Sequence, residues 1–208
     1  MSGRPLDGRL LRGERARRAL VAATLRIIER DGLCRVTHRN VTREAGLPPS
    51  SAAYHFSSIS DLLEQALLWA DQQAADSLER IGRTPDPVAA FAAWLVEDLV
   101  EHRSRVIAEY ELFLYAARVP SMRPTAVRWL TDLERLVSTW TADARAVSTI
   151  RAYVDGMALQ ALVSGERPDA AAVETTLRYL VQGSAPSEAR DLAVGARSPA
   201  GPVAGALD

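Results

Sequence analysis

Between positions 37 and 58 the chain gathers side chains of the types suited to a polyanion. Thr37, His38, Arg39 and Arg43 place a hydroxyl, an imidazole and two guanidinium groups on one short segment. Pro49, Ser50, Ser51, Ala53, Tyr54, His55 and Ser58 follow on the next. Guanidinium and hydroxyl groups suit phosphate oxygens, whereas short hydroxyls, an aromatic tip and a methyl group suit base edges and thymine methyls. The expectation is that Thr37, Arg39 and Arg43 meet the phosphate backbone, and that Ser50, Ser51, Ala53, Tyr54 and His55 face the bases.

Catalytic chemistry finds less material. The chain has three histidines (His38, His55 and His102) and a single cysteine, Cys34. It contains no glycine-rich phosphate loop, HExxH or nucleophile elbow. The reading is therefore of a non-enzyme with no cofactor and no metal site. One cysteine allows no disulfide within the chain, which fits a reducing cytoplasm, and no stretch has the length and apolarity of a membrane span. Net charge is −1, but residues 1–60 hold eleven arginines against five acids, a surplus of six, and the remainder is correspondingly acidic. Such polarity points to one polyanion-binding end. Every basic residue is arginine, the side chain best shaped for phosphate.

The elements that must position these groups all repeat with the period of a helix, and no alternating β-branched run interrupts them. The spacing predicts an all-α chain of about nine helices. The first runs over about 11–30 and ends at Asp31-Gly32, where glycine takes a left-handed cap. Thr37 caps a second over about 38–45, and a third follows Pro48-Pro49 and ends near His55. Glu44-Ala45-Gly46-Leu47 between them has the chemistry of a sharp helix-helix turn, with Val41, Leu47 and Phe56 as apolar pegs. Ser57 or Ser58 caps a long fourth helix over 59–81. Further helices are expected from Pro87, from about 103 to Pro120, over 122–143, over 145–164 and over 169–181. The predicted organisation is a flexible basic arm (1–14), a DNA-binding domain (15–60), a second helical domain (61–182) and a disordered tail (183–208), rich in Ala, Gly, Pro and Ser.

Val36-Thr37-His38-Arg39-Asn40-Val41-Thr42-Arg43-Glu44-Ala45-Gly46-Leu47, then Tyr54-His55-Phe56 and Leu62-Leu63, resembles the helix-turn-helix domain of the tetracycline-repressor (TetR) family. The resemblance spans about residues 15–65. A weaker one covers Glu109 to Arg118, Asp155-Gly156-Met157 and Gly165-Glu166-Arg167-Pro168. Two positions depart from the pattern: Thr42 stands where alanine is usual, and Ile59 stands where a lysine usually meets phosphate. Arg4, Arg9 and Arg12 either form an arm along the DNA or belong to a solvated tail.

The resemblance implies a homodimer on a palindromic operator, and a C-terminal domain holding both a ligand cavity and the dimer interface. It implies an interface on the helices at 122–143 and 145–164, with Leu130, Val137, Ile150, Val154 and Met157 as candidates. Phe91, Trp94, Tyr110, Phe113, Met122, Trp129, Tyr153 and Met157 are the candidate cavity walls for a hydrophobic or aromatic effector, with Glu109, Glu111, His102 or Arg151 as polar anchor. The implied function is a transcriptional repressor released by a small molecule. A DNA-binding dimer without an effector, and an activator, remain alternatives.

Overall fold

In a computed structural model, residues 8–183 are described, and among them every regular element is helical. Nine α-helices follow one another: α1 (Gly8–Asp31), α2 (His38–Glu44), α3 (Ser51–His55), α4 (Ile59–Gly82), α5 (Pro87–Glu101), α6 (Arg103–Arg118), α7 (Arg123–Val137), α8 (Ala144–Ser164) and α9 (Ala170–Gln182). A short 3-10 turn, Leu33–Arg35, links α1 to α2. This agrees with the all-α expectation. Since α1 starts at Gly8, Arg12 lies on a helix and not on a free arm. Arg4 and the tail beyond 183 lie outside the described residues.

Helix starts follow the capping side chains. The Thr37, Ser58, Asp86, Asp143 and Asp169 side chains accept from the amides of Asn40, Asp61, Ala89, Arg145 and Ala171 respectively, satisfying donors left over in the first turn. Gly32 departs from expectation. Its φ is 83° but its ψ is 164°, an extended mirror-image conformation open essentially to glycine, and not the left-handed cap. That geometry sends the chain into the 3-10 turn. Helix α7 is shorter than expected, stopping at Val137. Ser138 and Thr139 turn their hydroxyls onto the carbonyls of Glu134 and Leu136, and Trp140 N–H bonds to Val137, so the last turn tightens and ends.

The helices enclose two hydrophobic cores. The front core joins Leu20 and Ile27 of α1, Val41 of α2, Ala52 of α3 and Phe56 with Leu62 and Leu67 of α4, and it continues into Leu112 and Ala116 of α6. The rear core joins Leu78 and Ile81 of α4 with Phe91 and Leu95 of α5, Val106 of α6, and residues of α7, α8 and α9. Helices α4, α6 and α7 each belong to both. The DNA-binding head expected to close at residue 60 has a core that crosses that boundary, because α1 with the two short helices α2 and α3 alone buries too little apolar surface.

Candidate nucleic-acid interface and cavity

The turn between α2 and α3 is built from backbone bonds. Gly46 N–H bonds to Arg43 O at 3.2 Å and Leu47 N–H to Thr42 O at 2.9 Å, a Schellman ending that requires positive φ at Gly46, here 66°. Buried Thr42, unusual for its position, spends its hydroxyl on His38 O (2.9 Å) and Arg39 O (3.2 Å), so it costs the helix no unsatisfied donor. Glu44 at the end of α2 receives Arg26 (2.9 Å) and Arg30 (3.2 Å) from α1, which pins the pair of short helices to the first. Those guanidinium groups hold the Glu44 carboxyl below its ordinary range.

On the outer side of this pair, Arg39, Arg43, Pro49, Ser50, Ala53, Tyr54 and Ser58 are exposed, with Tyr54 at 83%. Ser51 and His55 are half-buried, and the Tyr54 and His55 rings meet edge to face at 4.9 Å. Thr37 and Ser58 are committed to capping but still exposed. His38 is turned inward, with a buried Nε2 that has no partner. Ile59, where a lysine was expected, packs against the front core. Ser57 N–H (2.9 Å) and hydroxyl (3.2 Å) both donate to Asp61, which leaves this helix start closed on itself.

Behind the head lies a cavity of about 360 Å3 between α4, α5, α6, α7 and α8. Phe91, Trp94, Tyr110, Phe113 and Trp129 line it, all five read from the sequence as wall residues. The Phe91 and Trp94 rings lie 5.7 Å apart, and those of Phe113 and Trp129 6.5 Å apart. Met122 is not there: it is wholly buried in the front core, which it shares with Leu112, Ala116 and Ala126. Tyr153 and Met157 pack on the rear core without lining the cavity. Of the four polar anchors suggested by the sequence, Glu109 alone lines it. Glu111 accepts from Leu33 N–H, Arg151 pairs with Glu134, and His102 caps the α5–α6 junction.

Several wall residues escaped the sequence reading: Trp69, Asp71, Asp98, Arg105 and Asp155. A signal for two of them existed. Asp71 falls in register with Leu67, Ala74 and Leu78, and Asp98 with Phe91 and Leu95, so each is an acid on an inward apolar stripe. Both are nearly out of water, Asp71 at 2% and Asp98 at 6% exposure. Burial raises the pKa of Asp71, Asp98 and Asp155 against the pull of neighbouring arginines or of the Tyr110 hydroxyl. It carries Glu109 up to about 7. The Tyr110 hydroxyl donates to Asp155 at 3.4 Å, and its own ionisation is pushed far upward by burial.

The interface candidates divide differently. Leu130 and Val154 line the cavity, and Val137 and Ile150 are wholly buried in the protomer's own rear core. Met157 is half-buried. The apolar residues that α8 does expose are Ala144, Ala152, Leu159 and Val163, the last at 87%, and α9 exposes Ala171, Ala172 and Tyr179. Helical spacing sends Val137 and Ile150 inward.

A profile of the tetracyclin repressor-like C-terminal domain matches residues 83–183. A solved structure of a TetR-family member from Streptomyces coelicolor A3 is 30% identical, with a TM-score of 0.66, covering 79% of this chain and 97% of that one. The chain belongs to the TetR family. The TetR fold is shared further with the multidrug binding protein EbrR. Its complex with ethidium is 30% identical over 79% of this chain and 98% of that one, at a TM-score of 0.69. Its complex with proflavin is 31% identical over 79% and 99%, at 0.63. No curated protein sequence matches significantly. As a TetR regulator, the chain carries the helical reading head and the helical C-terminal domain together in one polypeptide.

Proposed function

We propose that this chain is a one-component transcriptional repressor. It binds a palindromic operator as a homodimer and leaves it when a small hydrophobic or aromatic effector enters the cavity. The observation that carries this reading is the double duty of α6. One face of that helix presents Tyr110 and Phe113 to the cavity, while Ala108, Leu112 and Ala116 belong to the core under the reading head. Between them Glu111 accepts the Leu33 amide proton at 2.7 Å, at the entrance to α2. A molecule that resets α6 therefore resets the base of the helix-turn-helix. EbrR, similar in fold and sequence, has been solved with ethidium and with proflavin, which supports an aromatic occupant here.

Dimerisation is supported by the exposed apolar side chains Leu159 and Val163 on α8 and Tyr179 on α9. Two neighbouring helices that both expose apolar side chains suit a twofold four-helix contact. This moves the proposed interface from the helices at 122–143 and 145–164 to α8 and α9. Twofold symmetry then presents two copies of α3 to two half-sites. Arg39 and Arg43 supply phosphate contacts, and Ser50, Ala53 and Tyr54 face the bases.

Fluorescence anisotropy on promoter fragments, with and without candidate effectors, tests the proposal. Operator affinity is expected to fall by about 5 to 150-fold on effector binding. Tyr54→Ala is expected to lower specific binding, and Arg43→Ala to lower affinity on all sequences while flattening the salt slope by about 0.9. Unchanged binding in both variants defeats the placement of the reading pair.

A further inference from the structure

The cavity's charge does not balance. Among the described residues its walls hold five carboxylates, Asp71, Asp98, Glu109, Asp132 and Asp155, and one cation, Arg105. Three of the five have a partner other than Arg105: Asp71 receives Arg128, Asp132 receives Arg135 at 2.6 Å, and Asp155 the Tyr110 hydroxyl. Asp98 and Glu109 share the single Arg105 guanidinium. Asp71 receives Arg128 on its Oδ2 alone, from Nε at 2.7 Å, and its Oδ1 is buried with no hydrogen-bond partner. A buried carboxylate oxygen without a donor is costly, and so are two buried carboxylates with one counter-charge. Asp71, Asp98 and Glu109 line one cavity, whose remaining walls are aliphatic and aromatic, Trp69, Trp94 and Trp129 among them.

We propose that the effector is a flat organic cation, whose charge lies near Asp71 and takes the place of the Arg105 guanidinium beside Asp98 and Glu109. The assignment rests on the effector reading above and narrows it to a charge class. Aromatic walls favour the same ligand twice, because they bury its rings and attract its charge to their faces. Arg105 is suited to yield. Its side chain is 37% exposed and springs from the first turn of α6. It also borders a smaller cavity of about 220 Å3 between α1, α4 and α6, where Glu29 of α1 stands as an alternative carboxylate. The exchange removes a cation from Asp98 and Glu109 only as another arrives, so no buried charge is left alone.

The test compares ethidium with phenanthridine, its uncharged parent ring, by fluorescence titration of the full-length protein. Ethidium is expected to bind at least about tenfold more tightly. Glu109→Gln and Asp71→Asn are each expected to weaken ethidium about tenfold and to leave phenanthridine within about threefold. Arg105→Ala, which removes the internal competitor, is expected to tighten ethidium. Equal affinity of the two probes for the wild-type protein overturns the proposal, as does a loss in Glu109→Gln that affects both probes alike. Weaker ethidium binding in Arg105→Ala overturns the exchange. If phenanthridine binds and releases operator while ethidium does neither, the cation assignment falls and the effector reading stands. If neither probe binds, both fall.

Discussion

Glu109 has lost most of its water, and one shared guanidinium does not compensate. Its pKa rises from 4.5 to about 7 mainly because burial penalises the charged form, with Asp98 and Glu29 adding repulsion and Arg105 opposing. A raised carboxylate pKa means that the folded protein holds its proton while the unfolded chain has already released one. The stability associated with the protonated group is complete below about pH 4.5, declines as pH rises toward 7, and is level above that. Urea unfolding of wild type and Glu109→Gln across this window is expected to show a shallower decline in the variant. Parallel curves would remove Glu109 as the cause. Gly32 makes the complementary point through its backbone. At φ 83° and ψ 164° a side chain is strained by the backbone alone, since a Cβ would meet Glu111 Oε1 only at an ordinary contact of 3.5 Å. Gly32→Ala is expected to cost about 1–3 kcal/mol, read as a lower melting temperature.

At the scale of elements, α4, α6 and α7 matter most because each is shared by two cores. Glu111 is the clearest link between α6 and the head, and its side chain is an acceptor for an otherwise orphaned amide. Glu111→Ala is expected to destabilise the protein by about 1–3 kcal/mol and to bring the ratio of operator affinities, without and with effector, closer to one. Glu111→Gln keeps an acceptor oxygen and is expected to restore most of that ratio. A ratio unaltered in Glu111→Ala would place the coupling elsewhere, such as in α4. Much of this arrangement was legible in the sequence. Thr37, Ser58, Asp86 and Asp169 announce helix starts through local chemistry, and Ala45-Gly46 announces the turn. The sharing of cores was not, because amphipathic stripes tell which side of α6 is buried without telling against what. Met122 was misplaced for this reason: an apolar residue at a helix start suits any wall, and contact with the front core is decided by tertiary packing. Asp71 and Asp98 were overlooked although their register marked them as acids among inward apolar residues.

For the whole molecule, the proposed function assigns the arginine-rich front to the polyanion and the acidic rear to the effector, and the proposed twofold contact on α8 and α9 sets the spacing of the two reading heads. An exposed valine and tyrosine at 87% and 73% gain little in a monomer, and together with Leu159 they are apolar side chains that a second copy would cover. Charging the valine and the tyrosine should separate the protomers without disturbing either core, since neither Val163 nor Tyr179 belongs to one. The double variant Val163→Glu, Tyr179→Glu is expected to sediment as a monomer with the far-ultraviolet circular dichroism of the wild type. Its operator affinity is expected to fall by orders of magnitude, because one head engages half of the palindrome. Its dependence of log affinity on log salt is expected to drop to about half the wild-type slope, as about half the phosphates are neutralised per bound species. A variant that remains dimeric would move the interface off α8 and α9. One that is monomeric yet keeps wild-type affinity and slope would mean that a single head suffices for the operator.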